Sequence, residues 1–213
     1  MHLTLNQILP TYFDKSLQQA SEVWGKPLVF QKGELIKIVA PSGSGKTSLI
    51  HFIYGLRDDY EGEIKYDSRN IRTLTPELYS QFRKEQISIV FQDLRLFPEI
   101  TVAENLEIKR QLNPVHPPEK IREMAERLGI ASKLNSKCQT CSYGEQQRIA
   151  IIRSLLQPFD FLLLDEPFSH LDEENAEKAM KLMLEEAATR KAAIVFADLE
   201  RIDFYPYTRL FHL

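Results

Sequence analysis

The 213-residue chain is poor in several things at once: it has two cysteines, one tryptophan and eight glycines. Two thiols cannot build a disulfide framework. As a zinc site the C-x-x-C pair, Cys138 and Cys141, is two ligands short, and no nearby His-x-x-x-His completes it. No thioredoxin-like setting surrounds the pair, so two unconnected thiols are expected. An excess of one charge is also lacking, since 27 Lys and Arg face 30 Asp and Glu, with a pI near 6.0. That balance gives no electrostatic reason for nucleic acid or an acidic membrane as main partner, and no nucleic acid is expected. No apolar run approaches the roughly eighteen residues that a membrane span needs. The start, MHLTLNQILPTYFDK, lacks the basic-then-apolar layout of a secretion signal. A cytosolic chain is expected, ending at Leu213 without an appended regulatory domain.

What is present suits one domain over 1–213, with 43% hydrophobic residues to build its core. GELIKIVA (Gly33 to Ala40), ISIVF (Ile87 to Phe91), FLLLDE and AAIVF (Ala192 to Phe196) read as short buried strands, the last of these closing the set. YEGEIKYDSRNI reads as a turn with short polar-edged strands, and SLIHFIYGL as the start of a helix. From about Asp93 to Leu156 the pattern is helical with proline breaks, NPVHPPE being the clearest, and marks an inserted lobe. AEKAMKLMLEEAA places Ala176, Ala179, Met180, Met183, Leu184 and Ala187 on one helical face. Strands alternating with helices predict an α/β sheet.

APSGSGKTS, Ala40 to Ser48, joins a buried strand to a helix. Gly43 and Gly45 let the loop bend so that consecutive N–H groups face anionic oxygens, with Ser42, Ser44 and Ser48 alongside. The helix N-terminus adds its positive dipole end. Lys46 supplies a point charge for β- and γ-phosphates, and the Thr47 hydroxyl is a ligand for Mg²⁺. Ala40 stands where the pattern usually has glycine, which is tolerable at a strand end with negative φ. Asp165 and Glu166 end a buried strand some 120 residues on, where one acid can steady Mg²⁺ and its neighbour polarise a water.

With these pieces in order, the chain resembles the ATP-binding subunits of ABC transporters over nearly its whole length. APSGSGKTS is similar to the Walker A loop, VFQD to the Q-loop, CSYGEQQR (Cys141 to Arg148) to the signature, FLLLDEP to Walker B and SHLD (Ser169 to Asp172) to the D-loop. VFQDLRLFPEITVAENL also resembles the lipoprotein-releasing, cell-division and macrolide-exporter branch.

The resemblance implies a P-loop NTPase core with a mainly parallel sheet, an N-terminal antiparallel β subdomain and a helical subdomain over about 93–156. It implies ATP and Mg²⁺ as cofactors, with Thr47, Gln92 and Asp165 at the metal and Glu166, Lys46 and Gln92 in catalysis. Ser142, Gly144, Glu145 and Asp172 are implied to meet the nucleotide of a second copy, and Phe13 to stack on adenine with Tyr12 beside it. Two copies closing on ATP would drive a permease in a separate chain, holding the protein on the inner face of the membrane.

Three features depart from the family pattern. Tyr143 replaces a small residue in the signature, to crowd the opposite nucleotide or turn outward, and Cys141 stands where leucine is usual. Within VFADLE, Ala197 holds the place of the histidine that contacts the γ-phosphate. Slow turnover is therefore expected, and the competing reading is a nucleotide-gated interaction protein with weak or no hydrolysis. Only 49 positions separate Gln92 from Cys141, which excludes the long coiled-coil insertion of DNA-repair relatives.

Overall fold

The computed structural model describes residues 1–13, 20–199 and 205–213. Glu200, the last residue of VFADLE, lies outside them. Two sheets form the frame. One is antiparallel, in the order β2-β1-β4-β5, from His2–Pro10 (β1), Pro27–Gln31 (β2), Tyr60–Tyr66 (β4) and Arg69–Asn70 (β5). The other is parallel throughout, in the order β6-β7-β8-β3-β9. Its strands are Leu35–Val39 (β3), Ile87–Val90 (β6), Phe161–Asp165 (β7), Ala193–Asp198 (β8) and Arg209–His212 (β9).

Covering both faces of a parallel sheet requires strands that are apolar on every side chain. β7 and β8 meet that demand up to the aspartate that ends each of them, and are buried at every position. Alternate residues then serve different cores. Phe161, Leu163, Val195 and Ala197 join the cluster shared with the antiparallel sheet and Lys46–Tyr54 (α1). Leu162, Leu164, Ile194 and Phe196 join the cluster of the helical lobe. That lobe holds Val102–Leu112 (α3), Glu119–Arg127 (α4) and Tyr143–Leu155 (α5), and Glu173–Arg190 (α6) packs with it. Pro76–Glu85 (α2) flanks β6.

Local chemistry fixes the helix ends. Thr101 and Glu104 form a reciprocal capping box at α3, and Ser142 and Glu145 form another at α5. Asp172 caps α6 by accepting from the Asn175 N–H. On α6 the expected face is buried at Ala176, Ala179, Met180, Met183 and Ala187; Leu184 is only partly so, and Leu182 is buried instead. Glu186 is also buried there, its carboxyl held down to about 2 by His116 and Arg190 against the cost of burial.

The expected last strand at Ala192–Phe196 is corrected in two ways. It runs as β8 to Asp198, and β9 follows it at the sheet edge. β9 alternates half-buried with exposed residues over four positions, too short a pattern to stand out in the sequence. Cys138 and Cys141 are both free and buried, and burial lifts the Cys138 thiol to about 11.

The antiparallel sheet turns on one glycine. β1 bulges between Asn6 and Leu9, with Gln7 at φ 54. Opposite it Gly62 has φ 84, and a Cβ there would lie 2.3 Å from the Asn6 carbonyl oxygen. Gly62→Ala should lower the urea midpoint by an amount equivalent to about 2–4 kcal/mol, from backbone strain plus the clash. Gly129→Ala, with φ 66 but no contact closer than 3.8 Å, should cost only about 1 kcal/mol. Equal midpoints for the two variants would contradict this reading of the bulge.

Candidate nucleotide site at the strand ends

Four adjacent parallel strands deliver their carboxyl ends to one place, where open α/β sheets bind ligands. β3 leads into Ala40 and the loop to α1, β6 into Gln92, β7 into Asp165 and Glu166, and β8 into Asp198. Tyr12, Phe13, Ser42, Gly43, Gly45, Lys46, Thr47, Ser48, Gln92 and Glu166 line a cleft of about 280 Å³ there. Three larger hollows, of about 450, 450 and 460 Å³, lie around α2, but none of them gathers a glycine loop, an ammonium and a carboxylate at the strand ends as this one does.

Gly43 and Gly45 adopt φ 82 and 95, the left-handed turn that lets the loop curl before α1. Gly45 needs its missing side chain for a second reason. A Cβ would meet the Phe13 ring at 2.7 Å and the Trp24 ring at 3.1 Å. Trp24, which is fully buried, also donates its indole N–H to the Ser44 carbonyl at 3.4 Å. The single tryptophan thus braces the outside of the loop. Gly45 offers α1 no side-chain cap, so the first N–H groups of the helix keep their need for an acceptor.

Lys46 is 4% exposed, and its ammonium donates to the Ala40 and Pro41 carbonyls at 2.9 and 3.0 Å. The Glu166 carboxylate stands 3.4 Å from the same nitrogen. The Thr47 hydroxyl lies 3.2 Å from both Gln92 Oε1 and Asp165 Oδ1. Gln92 Nε2 reaches Glu166 Oε2 at 3.5 Å. Asp165 is fully buried, its Oδ2 has no partner, and burial raises its carboxyl to about 6. Asp198 repeats the pattern: it is buried, its Oδ2 is unpartnered, and its carboxyl is pushed by burial to about 6.

Glu166 sits at φ 48, a conformation that costs a non-glycine residue about 1–2 kcal/mol. Its N–H donates to the Ala197 carbonyl at 2.9 Å, and its own carbonyl accepts from Gln147 Nε2 at 3.3 Å. The strained residue is therefore clamped on both sides. Ala197 itself is fully buried and brings no polar side-chain group to the strand end.

The remaining expected residues are placed as follows. Phe13 is enclosed by Trp24 and Gly45, whereas Tyr12 is 51% exposed. The Tyr12 phenol and the Arg57 guanidinium both hydrogen-bond the Ser48 hydroxyl, and Arg57 also lies over the Tyr12 ring. Ser42 and Ser44 lie on the loop, with the Ser44 hydroxyl bonded to the Pro41 carbonyl. Ser142, Gly144, Glu145 and Asp172 do not line the cleft; they gather where the start of α5 meets the loop before α6. A Cβ on Gly144 would lie 2.9 Å from the His170 carbonyl oxygen. Tyr143 turns along the surface, its phenol on the Gln92 carbonyl and its ring against His170.

Sequence reasoning passed over Trp24, Gln147 and Asp198. Trp24 could have been flagged as the sole tryptophan near the loop. Nothing local in the sequence marks the other two.

The glycine-curled loop, the buried ammonium and the paired acids at strand ends define a P-loop nucleotide-binding site. The chain belongs to the ABC transporter family, as the ATP-binding subunit and an ABC-type ATPase; residues 27–169 match the profile described as ABC transporter. It is 34% identical over 196 residues to the lipoprotein-releasing system ATP-binding protein LolD of Legionella pneumophila (strain Lens), covering 91% of this chain and 86% of that one. It is 39% identical over 156 residues to the molybdate/tungstate import ATP-binding protein WtpC of Pyrococcus horikoshii, covering 72% of this chain and 44% of that one. The ATP-binding cassette MJ0796, solved as a dimer in a post-hydrolysis state bound to ADP and Pi, superposes with a TM-score of 0.84. It is 26% identical, over 99% of this chain and 94% of that one.

The raised carboxyls fix a pH response for the protein without metal or nucleotide. A buried acid with its folded value near 6 and an ordinary unfolded value favours folding at low pH, and loses that contribution as pH rises from about 4 through about 6. Asp165→Asn removes this loss. Its stability relative to the parent should improve by on the order of 1–3 kcal/mol between pH 4 and pH 7 in the presence of a chelator. Parallel pH profiles in urea unfolding would contradict the assignment.

Proposed function

We propose that the cleft binds Mg-ATP, that two copies close face to face around two nucleotides, and that closure drives a permease in a separate chain on the inner face of a membrane. One observation carries this reading: the buried Lys46 ammonium is held at the mouth of the loop beside a hydroxyl shared by Gln92 and Asp165. Such a cation has no use in a core and every use against a triphosphate. Among the described residues, no helix is long and apolar enough to cross a membrane, which suits a subunit that works through a partner chain.

The donor set also fits Mg²⁺. A hard dication takes oxygen ligands, and Thr47, Gln92 and Asp165 would hold it, the Thr47 hydroxyl lying 3.2 Å from an oxygen of each of the other two and Asp165 Oδ2 having no partner within the protein. The ion, when bound, neutralises charge on the phosphates. The chain's own groups do the rest. The γ-phosphate replaces Glu166 as the partner of Lys46, which releases the carboxylate now 3.4 Å away. Glu166 then accepts a proton from water as its oxygen bonds to the γ-phosphorus and the bond to the ADP oxygen breaks. Gln92 bridges the two sets of groups and senses whether phosphate is present. Tyr12, with its more open ring, is the better platform for adenine than the enclosed Phe13. Ser142, Gly144, Glu145 and Asp172 meet the nucleotide of the second copy.

Ala197 makes this a slow motor. A positioned donor at the transition state is worth about 3–4 kcal/mol at comparable sites, and alanine supplies none. The same observation favours the second reading, a nucleotide-gated clamp that signals by closing and hydrolyses little. The lipoprotein-release relative suggests an envelope role, but the import relative carries a different cargo, so cargo is left to the permease.

Steady-state phosphate release decides between the two readings. Ala197→His should raise turnover by about a hundredfold to a thousandfold with Glu166 intact, and not at all in a Glu166→Gln background. Fast release by the parent, alone and with its permease, would overturn the slow-motor proposal.

A further inference from the structure

Tyr143 is the signature residue that is larger than the family pattern has at its position, and its side chain makes defined contacts. Its phenol donates to the main-chain carbonyl of Gln92 at 3.3 Å. Its ring lies against the His170 imidazole with centroids 4.1 Å apart and planes at 53°. The neighbouring Gly144 lets the start of α5 press against the His170 carbonyl, since a Cβ there would stand at 2.9 Å.

From His170 the contacts run on to the catalytic strand. The His170 N–H donates to Gln147 Oε1 at 3.1 Å, and its Nδ1 meets the Ser169 hydroxyl at 2.9 Å. Gln147 Nε2 in turn donates to the Ser169 hydroxyl and to the Glu166 carbonyl, both at 3.3 Å. On the other side the Gln92 side chain touches Thr47 and Glu166. The circuit closes: Gln92 to Tyr143, Tyr143 to His170, His170 to Gln147, Gln147 to Glu166, and Glu166 back to Gln92, with Thr47 attached at Gln92.

We propose that Tyr143 is a positioning residue that ties the start of α5 to the Gln92 main chain and to His170, so that a change at the phosphate end of Gln92 moves the surface offered to the second copy. The physical reason is geometric. A glycine-sized residue at this position has nothing with which to reach across to Gln92. A tyrosine folded along the surface makes the span, with its phenol on the Gln92 carbonyl and its ring on His170. The tie within one copy is independent of the dimer reading; its effect on closure rests on that reading.

Amide hydrogen exchange on the full chain without nucleotide tests the tie. Tyr143→Phe keeps the ring and loses the hydrogen bond, so exchange in residues 92–97 should quicken by about threefold to tenfold. Tyr143→Ala should add the same effect in residues 169–172, while β4 stays unchanged. Exchange within about twofold of the parent in both segments overturns the proposal.

The second measurement is self-association of Glu166→Gln protein against Mg-ATP concentration. Tyr143→Phe should raise the half-maximal concentration about fivefold while the affinity for a fluorescent ATP analogue stays within about twofold. In a Gln92→Ala background the same change should shift it by less than about twofold, because the side chain that reports phosphate is gone. Equal shifts in both backgrounds, or easier association of Tyr143→Ala than of the parent, would overturn the coupling. If the Glu166→Gln parent never associates, the dimer reading fails, and the exchange result still decides the tie.

Discussion

The buried ammonium of Lys46 is the constraint that the rest of the molecule serves. A cation 4% exposed cannot stay charged without neighbours that replace its water. Here two loop carbonyls and a carboxylate do so. None of these comes from α1, which carries the lysine; they come from the end of β3 and from the turn after β7. The loop must curl at two left-handed glycines to bring its carbonyls over the nitrogen. Trp24 and Phe13 must stand where a Cβ on the second glycine would be. The charge, the curl and the aromatic brace are one arrangement.

Parallel strands make the arrangement possible. Because β6, β7, β8 and β3 all run one way, Gln92, Asp165, Glu166, Asp198 and the loop arrive at one edge of the sheet. Apolar side chains on both faces exclude water beneath them, which is why Asp165 and Asp198 titrate above the usual carboxylate range. Glu166 lies one residue beyond the strand at positive φ, held by Ala197 and Gln147. Strain at that residue has a plain use: it turns the carboxylate of Glu166 toward the lysine instead of into the sheet.

Much of this was legible in the sequence, for a physical reason. The glycines, Lys46, Thr47, Asp165 and Glu166 each follow from local demands of backbone or charge, so their spacing carries the signal. The buried strands of the parallel sheet are legible as apolar runs for the same reason. What escaped notice depends on contacts between distant residues. β1 bulges at Gln7 and breaks its own alternation. β9 is an edge strand of four residues. Gln147 sits in the middle of α5 like any polar helical residue, yet is 1% exposed and joins Glu166 to His170. Tyr143 reads only as a departure from a pattern until its partner, 51 positions away, is seen.

The most direct test of the account is the affinity of the unaltered protein for ATP compared with AMP, by equilibrium dialysis with Mg²⁺ present. If Lys46, the curled loop and the start of α1 are built for the β- and γ-phosphates, ATP should bind at least about a hundredfold more tightly than AMP, and Lys46→Ala should erase most of that difference. Comparable affinities for the two nucleotides would mean that the buried ammonium serves the fold alone, and the account would be wrong at its centre.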